Sequence, residues 1–149
     1  MRFVLLITTF LLSGISAYAL AIDERIPDAQ TLLALESRAE QAVPKEQCFL
    51  YAELVHSMTE LAGQQLAQGD LEQASATLRA VEQYSQRIHM GLASNSKRLK
   101  NAEMLMRHTS FRLKEFLGGA SLEDRPGLES TLRQLDRVES ELMMQVFKH

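Results

Sequence analysis

The chain has 149 residues, a formal charge of −3, 46% apolar residues, one cysteine and no tryptophan. That length supports one domain with a real core and no need of a disulfide or metal staple. The slightly acidic balance gives no ground for nucleic-acid binding, and the absence of period-2 alternation and Asn-Gly turns argues against a β fold.

Arg2 is followed by the apolar run "FVLLITTFLLSGISAYALA". Ala17-Tyr18-Ala19 and Ala19-Leu20-Ala21 both fit the small-x-small pattern at which a signal peptidase cuts. A signal peptide over 1–20 and a single domain over 21–149 are therefore expected, with the product exported to the periplasm or secreted. The competing reading is an uncleaved anchor, since the run is nearly long enough to span a bilayer. No cysteine follows it, which argues against a lipoprotein.

A first, short helix is expected from Pro27 to Ala42, with Asp28 placed to meet the positive end of the helix dipole. Leu32, Leu35 and Ala39 form its apolar side, and Pro44 breaks or restarts the chain. The second helix, Lys45 to Gln68, carries Cys48, Ala52, Val55, Thr59, Ala62 and Leu66 at alternating spacings of three and four, the mark of one buried face. Cys48 falls in that stripe and reads as a small buried hydrophobe rather than a reactive thiol or an intermolecular bridge. Gly69 closes the helix, and Asp70 with Gln73 can cap the next. The third helix offers Leu71, Ala74, Leu78, Val81 and Ile88, with Gly91 and Ser94-Asn95-Ser96 marking a turn. The fourth runs from Lys97 to Leu117 on Leu99, Ala102, Met106, Thr109, Leu113 and Phe116, and stops at Gly118-Gly119. After "SLEDRPG" the last helix presents Leu128, Leu132, Leu135, Val138 and Leu142, ending near Phe147. Short joints between long helices predict an all-α fold: an antiparallel bundle of four long helices with a short N-terminal one.

The joint "LAGQQLAQGDLEQASATL", residues 61–78, resembles the turn of a tetratricopeptide repeat, with Leu61, Ala62, Ala74 and Leu78 at that family's Leu, small, Ala and large apolar positions. Met58, Gln65, Val81 and Gln86 depart from the pattern, and no second copy follows at a period near 34 residues. The resemblance implies one helical hairpin, with a protein-binding role as its only functional hint.

Charge is unevenly spread. Residues 22–72 carry ten acids and three bases, and residues 73–120 carry three acids and eight bases. The simplest cause is complementarity between neighbouring helices; a basic surface for an anionic partner is the sharper one.

Glu53 and His56 make a Glu-x-x-His pair, a spacing used in di-metal carboxylate bundles, with Glu82, Glu103 and Glu139 as conceivable companions. On a helix, however, Glu53 points nearly opposite the buried stripe, and no second such pair exists. Methionine and histidine also cluster: His56 with Met58, His89 with Met90, Met104 and Met106 with His108, and Met143 and Met144 with His149. Thioether and imidazole suit Cu(I), and Met104 and His108 share one helix face. No nucleophile arrangement or phosphate loop emerges, so no catalytic activity and no cofactor are expected.

On the fourth helix Met104, His108 and Phe111 gather opposite the main stripe, ringed by Lys100, Arg107, Arg112 and Lys114. Either the first helix folds back across this second face, or the face is a site for a protein partner or a second copy of the chain. The expected function is that of an exported helical-bundle protein serving as a protein-binding or scaffold module in the cell envelope. The alternative is a periplasmic copper carrier binding through Met104 and His108.

Overall fold

The structure is a computed structural model that describes residues 27–88 and 97–148. The signal-peptide expectation, the Gly91 to Ser96 turn and the His89, Met90 and His149 members of the Met/His clusters lie outside the described residues. Five α-helices make up the fold: α1 (Ala29–Gln41), α2 (Pro44–Ala67), α3 (Leu71–Arg87), α4 (Leu99–Gly119) and α5 (Arg125–Phe147), with no strand among the described residues. No described helix is long and apolar enough to cross a membrane.

The helix ends follow the residues that mark them. Asp28 caps α1 by accepting the Thr31 N–H at 2.7 Å, which satisfies one of the four N–H groups a helix start leaves open. α2 closes in a Schellman motif: the Asp70 N–H returns to the Gln65 carbonyl and the Gly69 N–H to that of Leu66. Gly69 adopts φ +77° to do so, a conformation that costs a residue with a Cβ. Asp70 then accepts the Gln73 N–H at 3.4 Å. α4 starts differently. Arg98 takes the left-handed conformation (φ 58°) and lays its guanidinium 3.5 Å from the Phe49 ring centre, a cation–π contact that holds the turn.

One buried cluster draws on all five helices. α2 is its axis, packed by α1, α3 and α4, while α5 packs on α3 and α4. The expected one-sided burial of α2 is corrected: from Cys48 to His56 every residue but Glu53 is buried. One reason is α1, which lies along the outward side of α2, where the Gln47 amide donates to the Ala39 carbonyl at 3.0 Å. Phe49, Leu50, Tyr51 and Leu54, off the main stripe, are buried as well; Arg98 lies over Phe49, and Tyr84 of α3 stacks on Tyr51. The fold-back of α1 across α4 is likewise not what happens, because α1 packs on α2 and makes no backbone-level contact with α4.

Chain direction alternates from α2 to α5, yet the neighbours differ from those expected. α2 and α3 are antiparallel, tied by Thr77 to Gln65 at 2.7 Å and Arg87 to Tyr51 at 3.5 Å. So are α4 and α5, tied by Arg107 to Glu139 and Lys114 to Asp136. α4, however, lies beside α2 rather than α3, and the two run parallel: Phe49, His56, Glu60 and Gly63 meet Arg98, Thr109, Arg112 and Phe116 in ascending order. The Lys97 N–H docks on the Lys45 carbonyl at 2.8 Å. That hydrogen bond starts α4 beside the start of α2.

Candidate functional site

The parallel seam between α2 and α4 is polar in its middle and aromatic at both ends. At one end Arg98 covers Phe49. At the other, the Phe116 ring lies where a Cβ on Gly63 would be, 2.3 Å from its nearest atom, so glycine is what lets the helices close there. Beyond this contact lies a cavity of about 420 Å³, lined by Leu66, Ala67, Phe116, Gly119 and Ala120 among others.

Between these ends the seam holds two sets of polar side chains. Glu60, 5% exposed, receives both arms of Arg112, from Nε at 2.8 Å and Nη2 at 3.0 Å. Arg112 also bonds Glu115 and lies 4.9 Å from the Phe116 ring centre. These bonds, that to Glu60 first, hold the guanidinium charged well beyond its ordinary range. One turn earlier the His56 Nδ1 is 3.1 Å from Thr109 Oγ1, and Thr109 gives its only proton to the Leu105 carbonyl at 2.7 Å. Thr109 must therefore accept from His56, which places an imidazole proton on Nδ1. The His108 ring stands 5.4 Å from that of His56, centre to centre, at 50°. Glu53, a turn before His56, is half-buried; desolvation raises its carboxyl above the usual range, and the charges of Arg38 and Arg98 only partly offset this.

The residues singled out on α4 divide between two environments. Met104 and Phe111 are exposed, at 56% and 58%, and His108 is half-buried against the seam. Of the cations around them, Arg107 is bonded to Glu103 and Glu139, Arg112 to Glu60 and Glu115, and Lys114 is paired with Asp136; Lys100 is exposed. Glu82 bonds Thr131 at 3.0 Å, so the companion carboxylates Glu82, Glu103 and Glu139 are turned to other partners. Among the described residues no three His, Cys, Asp or Glu side chains converge as a metal cluster. Cys48 is fully buried.

The pairing of His56 with His108 and of Glu60 with Arg112 is not read from either helix alone. One reading of the sequence pointed toward the seam, the acid-rich stretch preceding the base-rich one; Gly63, inside an otherwise unbroken helical pattern, was a signal left unread. Comparison of the chain with known protein families, curated proteins and solved structures finds no match.

Proposed function

We propose that this is an exported helical-bundle protein that serves as a protein-binding or scaffold module in the cell envelope, without catalytic activity. The finer architecture we infer is a pair of helical hairpins, α2–α3 and α4–α5, set side by side around one core, the first with a tetratricopeptide-like turn. The observation that carries the binding role is the outer face of α4. Two large apolar side chains two turns apart on one helical face, Met104 and Phe111, remain exposed, and α1, the nearest spare element, is committed to α2. Such a face on a small domain is suited to a partner. The surrounding cations do not favour an acidic ligand, since Arg107 and Arg112 are offset by carboxylates of the chain itself. Apolar contact, with a second copy as the first candidate, is what the face offers.

Sedimentation equilibrium of the purified, reduced protein beside a Phe111→Asp variant tests this reading. We expect self-association that the substitution abolishes while leaving the urea midpoint nearly unchanged, because Phe111 lies outside the core. A monomer in both cases, with the variant markedly less stable, would make the face a part of the protein's own packing.

A further inference from the structure

We propose that the cavity at the far end of the α2–α4 seam binds a small primary ammonium compound with an apolar body. The site does not draw on Met104 or Phe111, and so stands whether or not that face meets a partner.

The place follows from the parallel course of α2 and α4. Both helices end here, since Leu66 and Ala67 in the last turn of α2 line the cavity together with Phe116 and Gly119 in the last turn of α4. Parallel helices bring like poles together, so two partial negative charges of about half a unit each meet at one cavity. Elsewhere the chain offsets this pole: α1 and α3 carry Arg38 and Arg87 in their last turns, whereas α2 and α4 carry no base in theirs. Gly119 ends α4 with a carbonyl that no backbone N–H among the described residues reaches, an acceptor left open. The start of α5 adjoins the cavity and sets one positive pole against these two, but the Asp124 carboxylate stands at that start.

Side chains add to the shortage of positive charge. Glu115 bonds Arg112, yet that single guanidinium is shared with Glu60. Asp124 accepts the Ser121 hydroxyl at 2.7 Å and has no cation partner among the described residues. Among the described residues that line the cavity there is no base. The rest of the wall, Leu66, Ala67, Phe116 and Ala120, is apolar, and a volume of about 420 Å³ leaves room for a hydrocarbon body beside a head group. The ligand is thus defined by what the walls lack, a positive charge able to donate hydrogen bonds. An ammonium group has three N–H donors to share between carboxylate and carbonyl oxygens, and such charge-assisted bonds are about twice as strong as neutral ones. A bare metal ion is poorly matched, because among the described residues no three His, Cys, Asp or Glu side chains converge.

The experiment is a titration of the ¹⁵N-labelled protein with hexylammonium chloride, beside hexanol and sodium hexanoate as neutral and anionic compounds of the same body. Saturable amide shifts are expected at Ala67, Gly119 and Ala120, with hexanol bound at least about tenfold more weakly and hexanoate not at all. Asp124→Asn, which keeps a residue able to cap α5, should weaken hexylammonium binding by about tenfold. Ala67→Lys, at an exposed position, places a base of the chain's own in the last turn of α2. It should lower the affinity by a similar factor while raising the urea midpoint of the free protein, since it supplies the missing charge. Shift mapping on the unsubstituted protein decides the case even where a variant folds poorly. No binding, hexanol bound as tightly as hexylammonium, affinity indifferent to both substitutions, or shifts centred away from the ends of α2 and α4 would overturn the assignment.

Discussion

Glu60 and Arg112 are bonded to each other but are not equivalent: the first is 5% exposed, the second 23% and shared with Glu115. Removing Arg112 leaves a carboxylate in the seam with neither water nor a cation. Arg112→Ala should therefore lower the unfolding free energy by about 3–5 kcal/mol. Glu60→Ala leaves a guanidinium that keeps Glu115 and some solvent, and should cost only about 1–2 kcal/mol. Urea denaturation of the two variants measures the asymmetry directly. Glu53 behaves in the opposite sense to a stabilising acid. Its carboxyl is raised by desolvation, so the folded protein holds that proton more tightly than the unfolded chain does. The contribution to stability is fully present below the unfolded value, about pH 4.3, and is lost as pH rises through the folded value. Glu53→Gln should then raise the urea midpoint at pH 7 and bring no such gain near pH 3.

Among the elements, α1 packs mainly on one neighbour, with a hydrogen bond from the Tyr84 hydroxyl of α3 to Glu36 added to it. Leu32 and Ala39 are the buried residues it contributes, and α2 is the helix it packs on. Leu32→Ala should cost about 2–3 kcal/mol in local stability. Amide exchange in α1 should accelerate well before exchange in α2, whose other sides are held by α3 and α4. The helices themselves were legible in the sequence. The stripes through Val55, Val81, Leu113 and Leu135 all became core, and Asp28, Gly69 and Asp70 end or cap helices as their chemistry dictates. Leu71 did not follow its stripe and is exposed at the first turn of α3. The double-sided burial of α2 was written in Phe49, Leu50, Tyr51 and Leu54, but what covers them depends on where α1, α3 and the start of α4 lie, which no periodicity names.

For the whole molecule, the placement of helices was less legible than their existence. Alternating direction followed from the joints, whereas the choice of α2 over α3 as the neighbour of α4 rests on pairs about fifty positions apart, such as His56 with Thr109. The charge blocks did foretell it in outline: Glu46 with Lys97 and Glu60 with Arg112 join the acidic stretch to the basic one. The exposed Met104 and Phe111 were legible as a second face on α4, and their lack of cover within the chain became visible only once α1 was placed.

The seam between the parallel helices also behaves as a lock with one key position. Two helices in contact can in general shift past one another by a turn, about 5.4 Å. Here such a slip would carry Arg112 from Glu60 toward His56, strand a buried carboxylate, and drive the Phe116 ring away from Gly63 against positions that bear a Cβ. Each fault opposes sliding in its own way, one by electrostatics and one by volume. α4 is thereby indexed against α2, and the outer face it carries is held at a fixed height for whatever meets it.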